Sequence, residues 1–288
     1  MIPRTNSAAG YWVTEPRQPG IASRLRELWQ YRHLLNYFAL RFLEKNYRRT
    51  VLGWTWLLIR PLFDVVVGTL IFGGILNIKT GNVPYFLFYL AGMMSWNLFD
   101  SSLMWATRSL ELNRRLISRV YFPRLILPLA STAPALLNFA IYLVVFLLAL
   151  AYYYFFSSKT LYVRMGPGLL VALLALGFCL VFSVGLGLWT SVPGASARDV
   201  RFSLRYVLSF WFYLTPVIYP MESIPEGLRW LQKLNPMATV VETVKWGTLG
   251  LGQPDFASMG TAVCLIAVTF FSGVWYFYRV EATAVDRL

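Results

Sequence analysis

Six long runs of apolar residues, separated by short polar connections, dominate the pattern of hydrophobic positions along this chain. An α-helix needs about 20 mostly apolar residues to cross roughly 30 Å of hydrocarbon. The pattern therefore predicts an all-α integral membrane fold with six transmembrane helices. Their predicted bounds are residues 57–76, 84–106, 129–156, 168–191, 206–221 and 257–278. The fifth run is short and contains Pro216, which removes a backbone hydrogen bond, so we expect a broken or partial span there.

Two segments precede the first run. Residues 1–20 are polar and rich in proline and glycine, and they lack the apolar core of a signal peptide, so we interpret them as a cytoplasmic tail. Between residues 21 and 50, apolar residues recur at helical spacing while arginines interrupt every long apolar window. This pattern is typical of amphipathic helices lying along the inner leaflet; a helix packed on another protein is the alternative. Residues 51–288 form the predicted transmembrane domain.

The composition excludes two broad classes of protein. Of the 288 residues, 57% are hydrophobic and 14% are charged, whereas soluble domains have about 45–50% apolar and about 25% charged residues. The net charge is +13, but the positive residues form short clusters between apolar runs, unlike the continuous basic face of a nucleic-acid-binding protein. A soluble enzyme and a nucleic-acid-binding protein are therefore both excluded.

Residues suited to covalent chemistry are scarce. The two cysteines, Cys179 and Cys264, lie inside apolar stretches, and His33 is the single histidine. This set does not suffice for a zinc site or a Ser/His/Asp triad, and no GxxxxGK[ST] nucleotide-binding loop occurs in the sequence. We therefore predict a chain that is not an enzyme, with no catalytic residue, metal site or cofactor of its own.

The distribution of lysine and arginine predicts the orientation in the membrane. With the N-terminus inside, the cytoplasmic segments and span ends hold 20 lysine and arginine residues, and the outer segments hold six. Because cytoplasmic segments carry the excess of positive charge in membrane proteins, both termini are predicted to be cytoplasmic.

Two of the connections are longer than a turn requires. Residues 108–124 carry five arginines and a helical stripe of apolar residues, which predicts a short amphipathic helix. This helix either docks a cytoplasmic partner or only fixes topology and contacts lipid headgroups.

The second long connection, residues 222–255, contains Pro225 and the capping pair Asn235-Pro236, which start two short helices. Because the span before them is partial, we expect this region to dip into the outer leaflet as an outer gate.

Three ordered motifs resemble a known family. The first is YRRTVLGWTW at residues 47–56 with RPL at 60–62, the second is LISRVYFPR at 116–124 with ILP at 126–128, and the third is TPVIYP at 215–220 with NPM at 235–237. Together they span about residues 40–250 and resemble the permeases of ABC exporters for O-antigen, capsule and teichoic acid. The resemblance implies a homodimer around a central channel, with two copies of a separate P-loop ATPase that bind ATP and Mg²⁺ beneath it.

The same resemblance implies a role for the inner loop, because in that family this loop supplies a coupling helix for the ATPase. It thereby favours the docking function for residues 108–124. The residues assigned to coupling are Glu111, Arg114, Arg115, Leu116, Ile117 and Arg119. The missing nucleotide-binding loop agrees with ATP hydrolysis on a partner chain.

Charged and aromatic residues inside the predicted spans are candidates for the transport path. Asp64 and Asp100 both lie about 10 Å from the inner boundary, and an unpaired acid at this depth is costly. Arg60 precedes Asp64 by one helical turn, which leaves open a structural ion pair, a functional charge in the path and a proton relay. The predicted channel and gate residues are Asp64, Trp96, Phe99, Asp100, Phe210, Trp211, Tyr213, Pro216 and Tyr219. The aromatic ones also fit the interfacial belts of lipid-facing helices.

Three arginines, Arg48, Arg49 and Arg60, stand at the entry to the first span. Guanidinium groups match phosphate oxygens in geometry and stay charged, which predicts a site for the diphosphate of a lipid-linked substrate. The alternative is that Arg48 and Arg49 are ordinary inner-face anchors.

The sequence thus indicates the membrane subunit of an ATP-driven exporter for a lipid-linked cell-surface polysaccharide of the O-antigen type, in a bacterial inner membrane. Its expected partners are a second copy of the chain, two ATPase subunits, the lipid-linked polysaccharide and membrane lipids, and no nucleic acid. A capsule or teichoic-acid exporter is the alternative within the family. An ion-coupled secondary transporter would use Asp64 and Asp100, but the internal repeat typical of that class is not evident.

Overall fold

The computed structural model describes residues 27–47, 55–117, 119, 122–157, 159–253 and 255–287, and every regular element in these ranges is helical. In chain order the helices are α1 (Arg32–Tyr47), α2 (Trp56–Gly68), α3 (Tyr85–Leu112), α4 (Arg114–Ile117), α5 (Ile126–Ala130), α6 (Ala133–Tyr152), α7 (Gly168–Ser196), α8 (Arg198–Leu214), α9 (Glu226–Lys233), α10 (Pro236–Leu249) and α11 (Phe256–Arg287). The π-helical segments Thr69–Ile75 and Tyr153–Ser157 extend α2 and α6. A 3₁₀ turn, Met221–Ser223, lies between α8 and α9.

Four segments of the described chain are long and apolar enough to cross a membrane. They are Leu58–Ile75, Ile126–Ser157, Gly168–Ser196 and Phe256–Val280. The predicted second and fifth spans overlap α3 and α8. These two helices are not among the four segments, and both carry charged residues along the helix. The all-α membrane fold is therefore confirmed, whereas the six-span topology stays a prediction.

The centre of the fold is α3, which is buried along most of its length. It packs against α6, α7 and α10, while α7 also packs against α11. Phe99 of α3, Tyr142 of α6 and Cys179 of α7 are buried together in this main core. Cys179 is thus a small packing residue, which agrees with its place in an apolar stretch of the sequence.

A second, smaller core joins α1 to the rest of the chain. Phe38 and Phe42 of α1 are buried in it together with Phe122 and the apolar residues of α5, and the rings of Phe38 and Phe122 are 5.6 Å apart. The apolar stripe predicted for residues 21–50 therefore packs on the chain's own α5 where the structure describes it. The two ends of that stripe lie outside the described residues, and its position on the inner leaflet stays a prediction.

Glycines allow α7 and α11 to approach each other closely. A Cβ atom added at Gly185 of α7 would lie 2.9 Å from the Cα atom of Phe270, and one added at Gly273 of α11 would collide with the carbonyl oxygen of Gly185. Small residues at an interface commonly let the backbones of two membrane helices approach each other closely. The α7–α11 interface therefore depends on the absence of side chains at these two positions.

Replacing Gly273 with valine is expected to destabilise the protein, because the new side chain would push the two backbones apart. Overpacking of this kind costs about 1–3 kcal/mol. The measurement is the midpoint of thermal unfolding of the purified protein in detergent. Gly260→Val is the matched control on α11, since a Cβ atom at Gly260 meets nothing within 4 Å. Equal midpoints for the two variants would contradict the close contact.

The fifth predicted span differs from the structure in its bounds. The sequence predicts residues 206–221, whereas α8 runs from Arg198 to Leu214. Thr215 is extended, with φ −94° and ψ 136°, because the ring of a following proline disfavours the helical conformation. Pro216 therefore lies beyond the end of α8 and does not interrupt it. The arginines of α8 lower the hydropathy of its first turns, so the span predicted from apolar residues begins at residue 206 and not at Arg198.

The helix predicted in the inner loop is also shorter than expected. Residues up to Leu112 continue α3, and only one further turn, α4, follows among the described residues. Asn113 separates the two helices, and its side-chain amide donates to the carbonyl oxygen of Ser109 at 2.9 Å. The amphipathic helix predicted within residues 108–124 is therefore wrong in extent, since its first part is the end of a long buried helix. Residues 118, 120 and 121 lie outside the described residues.

Candidate functional site

The end of α3, the turn α4 and the connection between α7 and α8 meet at one place, which we call the α3–α8 corner. Arg201 of α8 pairs with Glu111 of α3, with 2.8 Å between Nη1 and Oε2, and both side chains are mostly buried. The Arg201 guanidinium also donates to the carbonyl oxygen of Gly194 at 2.5 Å. Arg114 of α4 donates to the carbonyl oxygen of Ala195 at 3.3 Å. Two arginines thus satisfy carbonyl groups at the end of α7 and tie that end to α3 and α4.

The residues predicted to dock the ATPase lie at this corner, but they differ in exposure. Arg114, Arg115 and Arg119 are exposed. Leu116 and Ile117 are half-buried and pack against the second core of the same chain. A partner that binds here would therefore meet mainly guanidinium groups. The docking function itself stays a prediction.

Three electrostatic attractions link four charged residues of α2, α3 and α8. Arg60 attracts both Asp64 on its own helix and Asp100 on α3, and Arg205 of α8 also attracts Asp100. No direct ion pair joins Arg60 to Asp64, so the helix-face pair considered from the sequence is not formed. The sequence pattern misses Arg205, because on its own it has the features of a loop arginine that fixes orientation. The fold brings it within electrostatic reach of Asp100.

Trp96 and Phe99, two of the predicted channel residues, are buried in the main core. The ring of Phe99 stacks on that of Phe182 with 5.5 Å between centroids, and it meets the ring of Trp211 edge-on at 5.3 Å. Trp211 is half-buried in the same cluster. Since the chain's own helices cover Trp96 and Phe99, we assign both to the packing of the protomer and remove them from the candidate channel lining.

Phe210 and Tyr213 lie on the opposite, exposed face of α8, with 68% and 61% of their surface accessible. Arg205 and Ser209 are exposed on this helix as well. A face that mixes aromatic rings with a guanidinium and a hydroxyl is unlike the uniformly apolar faces that suit lipid. This face of α8 is therefore the best candidate for the transport path among the described residues.

The helices α9 and α10 form a hairpin that packs over the end of α8. The indole of Trp211 donates to Asn235 Oδ1 at 3.0 Å, and the Asn235 amide donates to Thr215 Oγ1 at 3.1 Å. Gln232 of α9 donates to the carbonyl oxygen of Leu214 at 2.7 Å. Asn235 is also the N-cap of α10, as the sequence predicts. The two short helices of the predicted gate are confirmed, and their depth in the membrane stays a prediction.

Lys245 of α10 is the residue of this region that sequence reasoning misses. It is 1% exposed, and its Nζ atom donates to the carbonyl oxygens of Pro216 at 2.5 Å and Val217 at 3.4 Å. The same atom lies 3.5 Å from the centre of the Phe88 ring. A lysine between apolar positions of a helix indicates that its ammonium group has polar partners inside the fold.

Two predicted gate residues lie next to this lysine or near the end of α8. Pro216 is buried, and its carbonyl oxygen accepts from Lys245. The hydroxyl of Tyr219 donates to the carbonyl oxygen of Tyr213 in α8 at 2.9 Å.

The predicted diphosphate site is described only in part. Arg48 and Arg49 lie outside the described residues. Arg60 is exposed on the first half of α2, where its charge acts on Asp64 and Asp100. Binding of a diphosphate by these three arginines stays a prediction.

Comparison with known proteins gives one family and several relatives. The family model described as ABC-2 type transporter matches residues 34–249. The O-antigen export system permease protein RfbA of Myxococcus xanthus is 31% identical over 220 residues, which cover 75% of this chain and 80% of that protein. A protein of the same name from Klebsiella pneumoniae is 26% identical over 245 residues, with 81% and 89% covered. The polysialic acid transport protein KpsM of Escherichia coli is 25% identical over 256 residues, with 85% and 92% covered.

The matched region begins within α1 and ends at the last residue of α10. It therefore includes the α3–α8 corner, the exposed face of α8 and the α9–α10 hairpin. The match spans about three quarters of the sequence, and the Myxococcus relative covers a similar share at 31% identity. This chain belongs to the ABC-2 type transporter family.

Proposed function

We propose that this chain is the membrane subunit of an ATP-driven exporter that moves a lipid-linked polysaccharide of the O-antigen type across a bacterial inner membrane. The observation that carries the proposal is the family match over residues 34–249, in a chain whose relatives are named O-antigen export permeases. The chain itself performs no covalent chemistry. ATP hydrolysis takes place on a separate partner chain that supplies the nucleotide and Mg²⁺ sites.

In the proposed topology α3 and α8 complete the six crossings, and both termini are cytoplasmic. The helix α3 needs no apolar exterior, because its neighbours cover it inside the protomer. The excess of 20 positive residues on one side over six on the other supports the orientation. The α3–α8 corner then lies in the cytoplasm, and the α9–α10 hairpin lies on the outer side.

The exposed face of α8 supports a homodimer with the transport path between the two copies. In a two-fold dimer the same face of each copy meets its counterpart, so Phe210 and Tyr213 of both copies would line the path. Aromatic side chains offer a large apolar surface at little cost in conformational entropy, which suits weak contact with a moving sugar chain. Arg205 and Asp100 would lie near the inner entrance of this path.

The α3–α8 corner supports docking of one ATPase subunit on each copy. Its exposed arginines offer a charged surface on the cytoplasmic side. The ion pair between Glu111 and Arg201 joins the end of α3, next to this surface, to α8. Movement of the ATPase would therefore be passed directly to the helix that we place beside the transport path.

A capsular polysaccharide exporter is the second candidate within the same family. The observation in its favour is the 25% identity to a polysialic acid transport protein over 85% of this chain. The two candidates differ in the polymer that is carried, and the architecture proposed above is the same for both.

Deletion of this chain in its native host is expected to remove the long-chain polysaccharide from the cell surface, because synthesis takes place inside and export is blocked. The measurement is gel electrophoresis of the surface glycolipids, with lipid-linked polymer assayed in the cytoplasmic membrane. Expression of the chain from a plasmid should restore the surface polymer. An unchanged surface polysaccharide after deletion would contradict the proposed function.

A further inference from the structure

A cavity of about 380 Å³ lies between the α2–α3 connection, the 3₁₀ turn after α8 and α10. This volume is within the range of small-molecule sites, about 300–1,000 Å³. Phe88 on its wall and Glu111 at the α3–α8 corner are 23 residues apart on α3, which is roughly 35 Å along a helix. The cavity is therefore at the opposite end of the molecule from the corner, on the outer side in the proposed topology.

Two carboxylates line this cavity, Glu222 in the 3₁₀ turn and the half-buried Glu242 of α10. Among the described residues, neither takes part in a direct hydrogen bond or ion pair. The charge of Lys245 acts on both, but its ammonium group already donates to two backbone carbonyl oxygens. The carboxylate oxygens are therefore available as hydrogen-bond acceptors for a ligand in the cavity.

The charges on the walls narrow the class of ligand. Lys79 and Lys245 balance Glu222 and Glu242, so the four side chains carry no net formal charge. The walls offer an anion no net attraction, because the lysine charges are offset by carboxylates and the Lys245 ammonium already donates to two carbonyl oxygens. A divalent cation prefers about six to eight oxygen ligands and would lie beside a fixed ammonium group. A neutral ligand rich in hydroxyl groups fits this pattern best, because hydroxyl groups both donate and accept hydrogen bonds.

The remaining walls suit a sugar ring. Thr80 and Ser223 line the cavity as hydroxyl-bearing residues, and Pro220 and Leu251 line it as apolar ones. The Thr80 hydroxyl donates to the carbonyl oxygen of Val83 at 2.7 Å, so it can serve a ligand only as an acceptor. A pyranose ring carries hydroxyl groups on its edge and C–H groups on its faces, so one ring satisfies both kinds of wall. Ordered waters can be displaced favourably only by groups that reproduce their hydrogen bonds, as sugar hydroxyl groups do.

We propose that this cavity binds one neutral sugar unit of the exported polysaccharide on the outer side, with Glu222 and Glu242 accepting hydrogen bonds from ring hydroxyl groups. The inference rests on the proposed function, which is what brings a glycan to this side of the membrane. A single sugar unit is bound weakly and released quickly. The site would therefore retain the emerging polymer without stopping its export.

The test is saturation-transfer NMR on the purified full-length protein in a detergent that has no sugar headgroup. The probes are the methyl glycosides of glucose, mannose, galactose and N-acetylglucosamine, with Ca²⁺ and inorganic phosphate as charged comparison ligands. We expect saturable binding of at least one glycoside in the millimolar range. Glu222→Gln combined with Glu242→Gln should weaken it about tenfold, because a neutral amide is a poorer acceptor than a carboxylate.

Glu222 is exposed, so Glu222→Gln alone should keep the fold and still weaken binding by a few-fold. Glu226→Gln on α9 is the matched control, because Glu226 is exposed, outside the cavity and expected to leave binding unchanged. Absence of saturable glycoside binding, equal binding by the double variant, or preferential binding of Ca²⁺ or phosphate would each overturn the proposal. None of these outcomes depends on export, so failure of the sugar site is distinguishable from failure of the proposed function.

Discussion

Replacing both Arg115 and Arg119 with glutamate is expected to abolish co-purification of this chain with its partner ATPase. The two side chains are exposed at the α3–α8 corner, where a docked subunit would contact them. Arginine is enriched among the residues that dominate binding, and a like-charge contact at an interface costs several kcal/mol. Since about 1.4 kcal/mol corresponds to a tenfold change in affinity, recovery of the ATPase should fall by at least about tenfold.

Lys159→Glu provides the control for this experiment, because Lys159 is exposed on the other side in the proposed topology. The control variant should retain the ATPase, and both variants should remain in the membrane. The change of Leu116 and Ile117 to aspartate is a less selective test, since these residues also pack against the second core. Retained binding of the ATPase by the double glutamate variant, with normal export, would show that docking takes place elsewhere.

Replacing Arg201 with alanine is expected to uncouple ATP hydrolysis from export. The substitution removes the ion pair that joins the end of α3 to α8 and the hydrogen bond to Gly194. Removal of one partner from a mostly buried charge pair is destabilising, by about 3–5 kcal/mol when the pair is fully buried and less here. The ATPase should remain bound, while polysaccharide exported per ATP hydrolysed falls about tenfold, which corresponds to about 1.4 kcal/mol of lost coupling.

An exchange of the two charges tests whether the pair itself matters. The double variant Glu111→Arg and Arg201→Glu restores an ion pair but loses the donor to Gly194. It should therefore recover export only in part relative to the alanine variant. Export per ATP that is unchanged in Arg201→Ala would contradict a coupling role for this contact.

The long apolar helices could be predicted from the sequence because their composition alone defines them. The predicted span 168–191 begins where α7 begins, at Gly168, and the predicted span 257–278 falls inside α11. Neither run contains a charged residue, so no local signal competes with the hydrophobic pattern. By contrast, α8 contains Arg201 and Arg205, and a hydropathy window excludes its first turns.

The parts of the candidate site that could not be predicted depend on contacts distant in sequence. Lys245 is held by Pro216, 29 residues away, and nothing near Lys245 in the sequence indicates those carbonyl groups. Arg205 and Asp100 come together only when α8 packs against α3. Trp96 and Phe99 are predicted channel residues that the structure buries in the core. An aromatic residue in an apolar run has the same sequence pattern whether it faces a channel or the core.

If this chain forms an ATP-driven path for a lipid-linked polysaccharide, that polymer should cross a membrane that contains it. The most direct measurement is translocation of that polymer into proteoliposomes that contain the chain together with its partner ATPase, assayed by protection of the polymer from an added glycosidase. Protection is expected only when ATP and both proteins are present. Translocation that proceeds without ATP and follows an imposed proton gradient, or that is equally fast in liposomes lacking this chain, would contradict it.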